Sequence, residues 1–66
     1  MDDREYGEIS TYNSSYAFIR RDSAEKDLFA HMSQLKYDPI YRGDRVSFDI
    51  APDPYKPGKM LARNVR

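Results

Sequence analysis

The stretch SSYAFIRRDSAEKDLFAHM, Ser14 to Met32, holds two short apolar runs, and each carries aromatic rings at alternate positions. Side chains alternate across a β-strand, so residues two apart share a face. From Tyr16 to Arg20, one face holds Ala17 and Ile19, and the other holds Tyr16, Phe18 and Arg20. From Asp27 to His31, one face holds Leu28 and Ala30, and the other Phe29 and His31. Ordinary packing would allow the rings to be the interior. The set Ala17, Ile19, Leu28 and Ala30 is wholly apolar, however, and a face of that kind is the better interior. The rings then point outward. Between the runs, RDSAEK (Arg21 to Lys26) is polar and turn-like, and a helix so short would not stand alone.

Working outward, the spacing predicts a first strand from Tyr6 to Tyr12, with Gly7 and Ile9 inward and Glu8 and Ser10 outward. NSS (Asn13 to Ser15) is turn chemistry, because short polar side chains bond their own backbone. Ser33 is expected to cap one helical turn ending at Leu35. KYDPIYRGD follows as a loop punctuated by Pro39 and Gly43. RVSFDIA (Arg45 to Ala51) alternates strictly, with Val46, Phe48 and Ile50 inward. PDPYKPGK, with three prolines and a glycine, is excluded from a central strand. A last strand is predicted from Met60 to Val65, where Ala62 and Val65 cannot both face inward without a bulge.

Five short strands with no helix of useful length predict an all-β fold, a small five-stranded antiparallel barrel. Closure is favoured over a sandwich because it removes exposed edges. The expected interior is Ile9, Ala17, Ile19, Leu28, Ala30, Val46, Phe48, Ile50 and Val65, with Leu35 and Ile40 as plugs. The chain of 66 residues is expected to be a single domain, ordered from about residue 5 to 66. A chain of this size buries only about 60% of its unfolded surface. It has no cysteine, so neither disulfides nor thiolate metal sites are available to stabilise it.

Eleven basic and eleven acidic residues cancel, so attraction to a polyanion would have to come from a local patch. No apolar run approaches the ~20 residues that span a bilayer, and MDDREYGE is unlike a secretory signal. A cytoplasmic location is expected. The single histidine has no second histidine or cysteine to complete a metal site, and nothing supplies a nucleophile with its orienting acid. No enzyme activity, metal or cofactor is expected.

An exposed cluster of rings costs free energy and marks a binding surface. Rings on adjacent strands suit the stacking of unpaired bases, at roughly 1–3 kcal/mol per base and with no demand for a particular base. The motifs resemble those of the cold-shock domain family, small five-stranded OB-fold barrels. SSYAFI resembles the family's first binding motif, usually KGFGFI, and DLFAHM resembles the second, usually DVFVHF. GEI, GDRVSFDI (Gly43 to Ile50) and ARNV (Ala62 to Val65) extend the resemblance over nearly the whole chain.

The resemblance implies binding of single-stranded RNA or DNA through the outward face. It places Tyr12 where the family usually has a tryptophan, and Tyr16 and Phe18 at the phenylalanines of the first motif. Phe29, His31 and Met32 fall on the second motif, and Tyr37 stands for an aromatic residue of the following loop. Both customary lysines near the platform are absent, replaced by Thr11 and Ser14, which should weaken attraction to phosphate. Arg20, Lys36, Lys56, Lys59 and Arg63 are the candidate replacements for that charge, and the proline-rich loop can add Tyr55, Lys56 and Lys59 to the binding edge. Each has a plainer reading. Tyr12 can cover the barrel rim, Met32 can fill core, Arg20 and Arg21 can be a solvated turn, and the proline-rich loop can simply connect strands. A monomer is expected, with a homodimer left open. The same scaffold also suits a protein-interaction module, since the surface is rich in tyrosine.

Overall fold

The computed structural model describes residues 4–23 and 26–66; Ala24 and Glu25 of the expected turn lie outside the described residues. Five strands, β1 (Glu5–Tyr12), β2 (Tyr16–Arg21), β3 (Leu28–His31), β4 (Arg45–Pro52) and β5 (Met60–Arg63), close into a barrel in the order β1-β2-β3-β5-β4. A single 3₁₀ turn, Met32–Gln34, follows β3. The fold class and the order of elements agree with the reading of the sequence.

One seam corrects it. The barrel is not antiparallel throughout, because β3 and β5 run parallel, with Phe29 opposite Leu61. The reason is arithmetic. The other four seams are antiparallel. An odd number of strands cannot alternate in direction all the way around a closed ring, so one pair must run the same way.

The interior is built from Ile9, Ala17, Ile19, Leu28, Ala30, Leu35, Val46, Phe48, Ala62 and Val65. Ile50 and Ile40, expected inside, are only partly buried against this core. Ile50 lies beyond the stretch of β4 that pairs with β1, which ends at Phe48, so fewer neighbours cover it. The conflict between Ala62 and Val65 is resolved by a left-handed residue, Asn64 at φ 52°, after β5 has ended at Arg63. Both side chains are fully buried. Val65 then bridges to Leu35, with the Val65 N–H donating to the Gln34 carbonyl at 2.8 Å.

The bulge sits elsewhere, in β1. Ile9 pairs with Ile19, but Thr11 pairs with Phe18, so Ser10 is the extra residue. Three positions earlier, β1 and β2 approach so closely that a Cβ on Gly7 would stand 2.4 Å from the Arg20 carbonyl oxygen. Only glycine fits there. The β1–β2 turn is closed by Asn13, whose Oδ1 accepts from the N–H groups of Ser15 and Tyr16 at 2.8 and 3.0 Å. This is the local side-chain bonding expected of that residue.

Candidate nucleic-acid interface

β2 and β3 are paired in the register that brings their outward rings together. Phe18 lies opposite Phe29, and Tyr16 lies opposite His31. The ring centroids of Tyr16 and Phe18 are 5.4 Å apart, those of Tyr16 and Phe29 5.4 Å, and those of Phe18 and Phe29 6.0 Å. Two of the three contacts are edge-to-face, at 82° and 72°. Pairs of this kind contribute about 0.5–1.5 kcal/mol each beyond burial. The half-buried rings therefore stabilise one another while keeping an open face. Leu61 of β5, across the parallel seam from Phe29, continues this surface.

Beyond Leu61 the β4–β5 loop forms a wall. Asp53 Oδ1 accepts from the Tyr55 N–H at 2.8 Å, which holds the loop's turn. Phe29, His31, Tyr55, Lys56 and Leu61 line a cavity of about 290 Å³. A neighbouring one of about 390 Å³ is lined by His31, Gln34, Pro54, Leu61 and Arg63. Tyr55, at 90% exposed, and Lys56 thus stand beside the rings. Lys59 lines neither hollow. It serves the loop through its backbone, its carbonyl accepting from the Asp53 N–H at 2.9 Å.

His31 also replaces Ser33 as the cap of the 3₁₀ turn. Its Nδ1 accepts from the Ser33 N–H at 3.2 Å and lies 2.9 Å from the Ser33 hydroxyl.

Tyr12 and Met32 are not part of the ring cluster. The bulge at Ser10 shifts β1 by one residue, so Thr11 takes the place beside Phe18 and Tyr12 pairs with Ala17. Tyr12, 44% exposed, instead lines a hollow at the barrel's end with Met32, Pro39 and Ile40. Met32 is partly buried and packs on the core. Tyr37 is also turned to structure. Its hydroxyl donates to Asp44 Oδ2 at 3.1 Å. Burial, and then that bond, push the phenol up to about 12.

The cations divide into two groups. Arg4 pairs with Asp49 at 3.4 Å, Arg21 with Glu5 at 3.5 Å, and Arg45 with Asp22 at 2.7 Å. The Arg45 fork on Asp22 holds that exposed carboxyl below its usual range. The two adjacent arginines are therefore not a simple turn, since both lie in β2 and only Arg21 is ion-paired. Arg20, Lys56 and Arg63 have no ion pair among the described residues, and these three border the aromatic face. Arg20 shares the outward side of β2 with Phe18 and lines a hollow with Glu8, Ser10 and Arg42. Arg42 was not singled out from the sequence, because a lone charge in a loop carries no sign of what it will face.

This architecture defines a small OB-fold barrel with an outward aromatic face. The family is narrower still. The model of the "Cold-shock" DNA-binding domain matches residues 5–66, and the chain belongs to that nucleic-acid-binding family. Among curated proteins, none matches the chain.

Proposed function

We propose that this protein binds single-stranded RNA or DNA by stacking bases on Tyr16, Phe18 and Phe29. The observation that carries the reading is the cross-strand ring cluster, three mutually packed rings on an outer face of the barrel. Every base has a π-face, so the binding is sequence-tolerant. His31, Tyr55 and Leu61 extend the platform, and Arg20, Lys56 and Arg63 supply phosphate attraction in spite of the zero net charge. No catalysis is involved. The activity is that of a strand-holding protein, RNA-chaperone-like or regulatory, which keeps its target unpaired.

The test is a fluorescence titration with short pyrimidine-rich oligonucleotides at low salt. Phe29→Ala should weaken binding by about five- to a hundredfold, the worth of one stacked base, while circular dichroism shows the barrel intact. Wild-type protein that binds no single strand at low salt would sink the reading. Recovery of a stoichiometric protein partner that resists nuclease would favour an interaction module instead.

A further inference from the structure

His31 occupies the boundary between the two hollows beside the β4–β5 loop, which share its ring, Pro54 and Leu61. Its Nδ1 is already taken by Ser33, through the backbone N–H at 3.2 Å and the hydroxyl at 2.9 Å. A backbone amide only donates. Nδ1 must therefore accept, and it carries no hydrogen. In a neutral imidazole the one ring hydrogen then sits on Nε2. Turning the ring over would set a carbon against the Ser33 N–H and forfeit both contacts.

We propose that Ser33 is a positioning residue. It holds His31 as an N–H donor at Nε2, and the bound strand offers that donor an oxygen acceptor, either a base carbonyl or a phosphoryl oxygen. The ligand half of this rests on the single-strand reading above; the positioning half does not. The platform then has a directional element beside its stacking surface. Stacking alone tolerates any base, whereas a fixed donor favours strands that bring an acceptor to one place.

The positioning half is tested on the free protein by nitrogen-15 spectroscopy of the imidazole at mildly alkaline pH. The hydrogen should be on Nε2, with Nδ1 bare. Ser33→Ala should admit a measurable share of the other tautomer, and Ser33→Thr should restore the wild-type spectrum. A hydrogen on Nδ1 in the wild type, or a Ser33→Ala spectrum indistinguishable from it, would overturn the role of Ser33.

The ligand half is tested with two variants and an oligothymidylate probe. His31→Asn keeps an acceptor where Nδ1 was and loses the outer donor. His31→Gln reaches the outer donor position and loses the cap. The Asn variant should bind about three- to tenfold more weakly than the Gln variant, one net hydrogen bond's worth. Equal losses would overturn the donor role. Repeating the pair on an abasic strand assigns the acceptor: a difference that persists there is to phosphate, and one that vanishes is to the base. A wild type that binds no strand overturns the ligand half together with the single-strand reading, while the spectroscopic result still decides the positioning half.

Discussion

At Tyr37, the hydroxyl bonds Asp44, which also accepts from the Tyr41 N–H at 2.8 Å, so one carboxylate ties down the loop before β4. The phenol is pushed from an unfolded value of about 10 to about 12. The folded value is the higher one. The contribution to stability is thus complete below about pH 10 and is lost as pH rises through about 12. Tyr37→Phe should abolish that alkaline component, seen as a flatter dependence of Tm on pH in this window, and leave oligonucleotide binding nearly unchanged. The family resemblance alone pointed Tyr37 toward the ligand. A sequence cannot show that a hydroxyl has found an internal carboxylate seven residues away, and this one has. For His31 the sequence was more legible, since its place in the DLFAHM motif is local, although its bond to Ser33 was not foreseen.

At the scale of the strand, the β1 bulge decides which side chain stands beside the ring cluster. The small Thr11, and not Tyr12, faces across to Phe18. The ring cluster therefore spans β2 and β3 and runs on toward β5, with Thr11 as the β1 neighbour of Phe18. Thr11→Trp should add a stacking surface next to Phe18 and tighten oligonucleotide binding about fivefold or more. Tyr12→Ala should change affinity far less; the same titration compares both. The faces of β2, β3 and most of β4 were legible because their period of two is unbroken. The bulge was not, since neither Ile9, Ser10 nor Thr11 is a residue that demands one. A one-residue slip exchanges the faces of everything after it, which is why Tyr12 pairs with Ala17 and stands apart from the three rings. The parallel seam was legible in principle, because it follows from five strands and closure together.

For the whole molecule, charges balance in number but not in place. The ion-paired arginines Arg4, Arg21 and Arg45 are held by acids, while Arg20, Lys56 and Arg63, around the rings, have no ion pair among the described residues. A net charge read from composition hides this division. Stability is likewise spread thin, since a core this small supports only about 3–5 kcal/mol. Val65, fully buried and bridged to Leu35, is a large share of the seal. Val65→Ala should cost about 2 kcal/mol by urea denaturation, enough to leave a measurable unfolded fraction near physiological temperature.

Closure through β5 also sets a timetable. During synthesis, β1, β2 and β3 can meander together as soon as they emerge, but the open side of β3 meets its partner only when Leu61 arrives. The final seal waits for Val65 and Arg66, whose backbones bond Gln34 and Ser47. Until then the growing chain presents an unpaired strand edge, the usual template for aggregation. That edge is only four residues long in β3, which limits the hazard until β5 is added.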